Sequence, residues 1–335
     1  MTIRTKILGT GHYVPERVVT NKDLEKLMDT TDEWIQQRTG IKERRWIEKD
    51  TGASELALPA CQKALERAGL TAKDVDAIVF ATLSPDYNFP GSACLLNTQL
   101  GIPGVPSLDI RNQCSGFIYG TQIADAWIKA GMYKHVLMVG SEVHSTGLDI
   151  TTRGRDVAVI FGDGAAAVVY GAADVGDDDK SGVLATHVGA DGTYAKELWL
   201  EAPGSRYIPR LTEAMMVEGK HFPKMNGREV FKHAARKMPE TVEITLKKAG
   251  YGLEDVDLFI PHQANMRISE AVQKALNLPD SKVFNNIDRF GNTTAASIPL
   301  AIDECVQSGR LKRGDLLVVA AFGAGFTWGS AVIRY

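Results

Sequence analysis

The chain repeats itself, and that repeat limits the folds open to it. Leu65-Glu-Arg-Ala-Gly-Leu-Thr-Ala-Lys-Asp-Val-Asp76 returns as Leu246-Lys-Lys-Ala-Gly-Tyr-Gly-Leu-Glu-Asp-Val-Asp257, with Leu, Ala, Gly, Asp, Val and Asp in the same places. Each copy reads as the end of an amphipathic helix, a glycine C-cap, and a short turn into a strand. The strands are expected at Ala77-Ile-Val-Phe-Ala-Thr82 and Leu258-Phe-Ile-Pro-His-Gln263. A nearly continuous apolar run such as the first suits a strand covered on both faces. Further on, a helix-like run after Cys114 reaches Gly131 and the strand Val136-Leu-Met-Val-Gly140; another after Asn292 reaches Gly309 and Leu316-Leu-Val-Val-Ala320. Cys114 precedes Gly131 by 17 residues and Asn292 precedes Gly309 by 17, so the two are expected at matching places in two similar halves.

At 335 residues the chain suits two units or one large duplicated one, and the halves are placed at 1–175 and 176–335. The polar, acidic stretch Ala172-Ala-Asp-Val-Gly-Asp-Asp-Asp-Lys-Ser181 reads as the surface loop between them. A net charge of −3 points to neither nucleic acid nor an anionic membrane as a partner. No apolar run reaches the roughly 18–20 residues that span a bilayer. A strand-like run begins almost at Met1, so no signal peptide is expected and a cytoplasmic protein is. The four cysteines, Cys61, Cys94, Cys114 and Cys305, lack metal-ligand spacing, and free thiols are expected. Gly162-Asp-Gly164 lacks the Lys-Ser/Thr ending of a phosphate loop. The long stretch Trp199–Met225 reads either as a lid or entrance wall or as a plain insertion.

Cys114 closes an apolar strand-like run and opens a helix-like one, where free N–H groups and the helix dipole would stabilise a thiolate. His262 falls at the C-terminal end of its strand, the edge at which α/β folds bind ligands. A nucleophile with His and Asn also describes papain-like peptidases, but their Cys-Gly-Ser-Cys-Trp setting is missing.

The segments Gln113-Cys-Ser-Gly116, Pro261-His-Gln-Ala-Asn265, Phe290-Gly-Asn-Thr-Thr-Ala-Ala-Ser297 and Phe322-Gly-Ala-Gly-Phe-Thr-Trp-Gly329 together resemble the thiolase-fold condensing enzymes, specifically the β-ketoacyl-acyl carrier protein synthase III family. The resemblance runs from Gly9-Thr-Gly-His-Tyr-Val-Pro15 through Thr31-Asp-Glu-Trp-Ile-Gln-Gln-Arg-Thr-Gly-Ile41 to the last residues. It implies an α/β, thiolase-like fold of two pseudo-twofold-related βαβαβ halves in α-β-α-β-α layers. It implies that Cys114 takes an acyl group from an acyl-coenzyme A. It implies that the backbone N–H groups of Cys114 and Ala324 form the oxyanion hole, and that His262 and Asn292 stabilise the enolate left when malonyl-acyl carrier protein loses carbon dioxide. Ala324 stands where some relatives carry glycine. No metal or other cofactor is implied, coenzyme A thioester being a substrate.

By the same resemblance Trp34 and Arg153 sandwich the adenine of coenzyme A with Arg38 close by, and Gly227 and Ala264 line the pantetheine tunnel. Asn265 resembles a residue that supports the active site, while Arg228 replaces an asparagine found in some relatives. Lys232, Arg267 and Lys274 match docking positions for the acidic carrier protein. Phe89 matches a residue that reaches across a homodimer to cap the acyl pocket, implying a short starter such as acetyl and the initiation of fatty acid synthesis. The segment Leu83-Ser-Pro-Asp86 looks closer to a divergent branch of secondary metabolism that forms quinolones or polyketides from other acyl-coenzyme A. An inactive scaffold subunit is a further alternative, against which Cys114, His262 and Asn292 are all present. A hydroxymethylglutaryl-coenzyme A synthase needs an acid near Leu83-Ser-Pro85, where only Asp86 is nearby.

Overall fold

Continuous apolar runs place the central strands. The computed structural model describes residues 2–176 and 179–335. One sheet contains β1 (Thr2–Tyr13), β2 (Ala77–Ala81), β3 (Ser107–Ile110), β4 (His135–Glu142) and β5 (Gly164–Val175), in the order β1-β5-β4-β2-β3. The other contains β6 (Gly182–Ala190), β7 (Leu258–Pro261), β8 (Leu316–Gly323) and β9 (Thr327–Arg334), in the order β6-β9-β8-β7. The topologies correspond: β2 runs parallel to β4 as β7 does to β8, and the remaining neighbours on that side are antiparallel. Where β3 pairs with β2, the second sheet has an isolated parallel bridge between Phe259 and Val283.

Helices α1 (Asp32–Thr39), α2 (Ala53–Arg67), α3 (Ser92–Gln99), α4 (Gly116–Lys129), α5 (Gly227–Ala249), α6 (Met266–Ala275) and α7 (Ser297–Gln307) complete the framework. Period-two alternation sends each strand's side chains into two different cores. Val136 and Met138 of β4 join Phe117 and Ile128 of α4 and Ile298 and Ile302 of α7, while Leu137 and Val139 face Leu56 and Leu65 of α2. Likewise Leu317 and Val319 of β8 face the α4–α7 layer, whereas Leu316 and Val318 face Val242 and Leu246 of α5. The layers therefore run α2/α3, sheet, α4/α7, sheet, α5/α6. Each buried aliphatic side chain contributes about 1.5–3 kcal/mol.

Two glycine C-caps read from the repeat are present in the left-handed region, Gly69 just beyond α2 at φ 67° and Gly250 at φ 79°. Close packing also brings a loop onto β4: a Cβ on Gly140 would lie 2.4 Å from Ala295 O, so only glycine lets the turn before α7 rest there. Among the described residues no helix is long and apolar enough to cross a membrane. The stretch Trp199–Met225 is pinned at its base, where Leu198–Trp199 pairs with Lys224–Met225, and its tip projects outward with Ile208 fully exposed.

Candidate active site

β3 ends at Ile110, and the chain turns sharply through Gln113–Ser115 into α4. Gln113 takes φ 42°, an uncommon conformation for a residue with a Cβ, and this turn sets Cys114 against the end of β8. Gly323 makes the approach possible, since a Cβ there would lie 2.7 Å from Cys114 Sγ. The matching turn in the other half, Thr294–Ala296, precedes α7 and contains Thr294 at φ 48°. The two turns abut, for a Cβ on Gly116 would meet Ala295 Cβ at 3.4 Å.

This geometry corrects the 17-residue match. The residue in the middle of the second turn is Ala295, and Asn292 lies before it in a bridge with Phe161. The equal spacings spanned helices of unequal length, 14 residues in α4 and 11 in α7.

His262 follows Pro261, the last residue of β7, and its backbone N–H donates to Ala320 O (2.8 Å). Its ring is buried; Nδ1 lies 2.6 Å from Ser297 Oγ and Nε2 has no partner among the described residues. Burial pushes its pKa down to about 3, so the ring is neutral throughout the ordinary pH range. Asn292 Oδ1 accepts from the Thr294 backbone N–H (2.8 Å), which directs the opposite, donating end of the amide elsewhere. The peptidase arrangement is absent: the partner of His262 is Ser297, not Asn292.

Cys114, His262, Asn292 and Gly323 meet in one cavity of about 500 Å³. Trp34, Arg38, Gly227, Ala264, Asn265 and Arg267 line the same cavity. Exposure falls from Arg38 and Arg267 at the surface to the buried Cys114, His262 and Asn292, which form its inner end. Gly227 leaves open space, since a Cβ there would meet only Met225 Cε, at 3.8 Å. The base of the Trp199–Met225 excursion contributes Leu198 and Met225 as wall, while its tip contributes nothing.

The ionisation of Cys114 departs from expectation. Burial, then the nearby Glu142 charge, pushes the thiol up to about 12, so the resting group is a thiol. The backbone N–H groups of Cys114 and Ala324 act on the sulfur in the opposite sense. Sequence reasoning missed Glu142. This carboxyl, also pushed up by burial, to about 7, accepts from Ser84 Oγ (2.6 Å), the N–H groups of Leu83 (3.1 Å) and Ser84 (3.2 Å), and Thr82 Oγ1 (3.1 Å). Asp86 is occupied elsewhere, accepting from Ser54 Oγ (2.8 Å) and the Ser54 N–H at the start of α2.

Arg153 is anchored beside the 199–225 excursion. Its guanidinium is held by Asp149 and Val217 O and faces Phe222 at 5.7 Å. Arg155 and Arg38 lie over the Trp34 ring, each with Cζ 4.6 Å from its centroid. Arg153 ends up in the turn Thr152–Gly154, whereas Arg155 begins the next helical turn. Asn265 caps α6, accepting from the Arg267 N–H (2.9 Å) and donating to Arg38 O (2.9 Å), which joins the starts and ends of two elements at the mouth. Lys232 is exposed beside Glu229 (3.5 Å), Arg267 packs over Phe231, and Lys274 is exposed at the far end of α6. Phe89 is 81% exposed and lies outside the cavity of its own chain.

Comparison with known proteins gives consistent results. The family described as 3-oxoacyl-[acyl-carrier-protein (ACP)] synthase III matches residues 108–192, and its C-terminal counterpart matches 246–335. The chain is 46% identical over 333 residues to a β-ketoacyl-[acyl-carrier-protein] synthase III from Caldanaerobacter subterraneus subsp. tengcongensis, covering 99% of this chain and 98% of that protein. Among solved structures, 3-oxoacyl-[acyl-carrier-protein] synthase III from Aquifex aeolicus is 45% identical with a TM-score of 0.89, covering 99% of this chain and all of that one. The enzyme from Thermus thermophilus is 43% identical with a TM-score of 0.90, covering 98% and 99%.

Proposed function

The chain belongs to the β-ketoacyl-acyl carrier protein synthase III family, condensing acyltransferases that initiate fatty acid synthesis, and from that premise we propose that it loads a short acyl group, acetyl foremost, from acyl-coenzyme A onto Cys114 and condenses it with malonyl-acyl carrier protein in the cytoplasm. In loading, the Cys114 sulfur attacks the thioester carbonyl. The oxyanion is held by the N–H groups of Cys114 and Ala324, and the thiol proton leaves with the departing coenzyme A thiolate. Attack and transfer of that proton toward the leaving sulfur are coupled, because burial makes a free resting thiolate costly.

In the second half-reaction malonyl thioester loses carbon dioxide, and the electron pair of the broken C–C bond moves into the thioester carbonyl as an enolate. His262 Nε2–H and the Asn292 amide donate to that oxygen. The enolate carbon attacks the acyl group on Cys114 and expels the sulfur as a thiolate, which takes up a proton from solvent. The observation that carries this reading is the meeting of Cys114 with two uncharged donors at the inner end of one cavity. Uncharged donors fit an enolate that forms and disappears within one step.

Trp34 and Arg153 would sandwich the adenine, with Arg38 and Arg155 close by and moving off the Trp34 ring as it enters. Gly227 and Ala264 give the pantetheine arm clearance, and Arg267, with Lys232 and Lys274, offers the acidic carrier protein a basic rim. The projecting ring of Phe89 fits a homodimer in which it closes the acyl pocket of the other subunit and limits starter length. Intact-protein mass spectrometry after incubation with acetyl, branched, medium, long and aromatic acyl-coenzyme A, with Cys114→Ser as control, tests this. Acetyl or short-branched adducts at Cys114 support it; adducts from long or aromatic thioesters alone overturn the short-starter reading and place the chain in the specialised branch.

A further inference from the structure

We propose that Ser297 is a positioning residue that fixes His262 in the tautomer carrying its proton on Nε2. This deepens the reading of His262 as an enolate hydrogen-bond donor and rests on it. A neutral imidazole holds one ring proton, and only the Nε2–H form can donate into the cavity.

The hydrogen-bond inventory selects that form. Ser297 is the first residue of α7 and is buried. Among the described residues its hydroxyl has one polar partner, His262 Nδ1 at 2.6 Å, and it makes no bond to the carbonyl four residues back, a common partner of a helical serine. If Nδ1–H donated to Ser297 Oγ, the serine proton would be buried without an acceptor, and Nε2 would be a bare lone pair facing the cavity. If Ser297 O–H donates to Nδ1, the serine is satisfied and the single open group is Nε2–H, facing the place where the enolate oxygen forms. The second arrangement leaves fewer buried polar groups unpaired and is favoured for that reason. It also has a chemical consequence: the resting His262 has no lone pair to offer the Cys114 thiol, so acyl loading and enolate stabilisation separate at this residue.

Side-chain nitrogen-15 NMR of the histidine-labelled full-length protein tests this, with the His262 signals assigned by their loss in His262→Gln. The expected wild-type signature is a protonated Nε2 and an unprotonated Nδ1. In Ser297→Ala the population should move toward Nδ1–H, and decarboxylative condensation by the pre-acylated enzyme should slow by at least about tenfold. The rate of acyl transfer to Cys114 should fall far less, and Ser297→Thr, which keeps the hydroxyl, should recover the wild-type signature and rate. A wild-type spectrum with the proton on Nδ1 overturns the proposal. So does a folded Ser297→Ala protein with wild-type tautomer and condensation rate. If Ser297→Ala fails to fold, the wild-type and Ser297→Thr spectra decide. A His262→Ala protein that condensed normally would instead overturn the underlying reading of His262, which keeps the two failures distinct.

Discussion

Gly323 and Cys114 are locked together: a Cβ on Gly323 would lie 2.5 Å from Cys114 Cβ and 2.7 Å from Sγ. β8 must therefore end in glycine for the thiol to sit against the Gly323-Ala324 turn. Gly323→Ala is expected to push Cys114 off its donors and lower acyl loading by about 10²-fold or more, the scale of losing an oxyanion donor. Initial rates of acetyl transfer check this, alongside thermal unfolding to confirm a folded protein.

The thiol of Cys114, raised to about 12, should alkylate far more slowly near neutral pH than a free cysteine, with its rate rising steadily through the alkaline range. Because the Glu142 charge contributes to that rise, Glu142→Gln should move the alkylation profile to lower pH. Glu142 itself is protonated more readily in the folded than in the unfolded state, about 7 against 4.5. Its contribution to stability is thus present below about 4.5 and is lost as pH rises through about 7. Chemical denaturation across that window should show a decline that Glu142→Gln lacks.

His262, held near 3, should remain neutral while the enzyme works. The condensation rate of pre-acylated protein is therefore expected to show no histidine limb near 6.5. A pH profile of carbon dioxide release checks this. For stability the sign is the reverse of Glu142: the neutral buried ring favours the folded state above 6.5, and that contribution is lost as pH falls toward 3.

Arg155→Ala should raise KM for acetyl-coenzyme A by roughly 3- to 20-fold with little change in kcat, as expected for loss of a stacking cation. Arg153→Ala should raise KM by a similar factor, through loss of the cation facing Trp34 across the adenine. Steady-state kinetics of both variants check these contacts.

These residues also mark how far the sequence could be read. The helix–glycine–strand repeat was legible because Gly69 and Gly250 sit at helix ends that only a left-handed residue closes well, and because strands buried on both faces are continuously apolar. The register between halves was not legible, since counting to Gly131 and Gly309 cannot reveal that α7 is a turn shorter than α4. Arg153 and Arg155 flank one glycine, and which of them reaches Trp34 depends on the handedness of the intervening turn. Glu142 closes an apolar strand, where an acid ordinarily reads as solvated, and the donors that hold it come from a loop some 60 residues away. Ser297 lies 35 residues from His262 and reads simply as a residue starting a helix.

The division of labour between Cys114 and the pair His262 and Asn292 is tested most directly by single-turnover experiments that separate acyl loading from malonyl decarboxylation. Cys114→Ser should fail to load. Asn292→Ala and His262→Ala should load but release carbon dioxide from malonyl-acyl carrier protein about 10²–10³-fold more slowly. An Asn292→Ala protein that condensed at the wild-type rate would contradict the account.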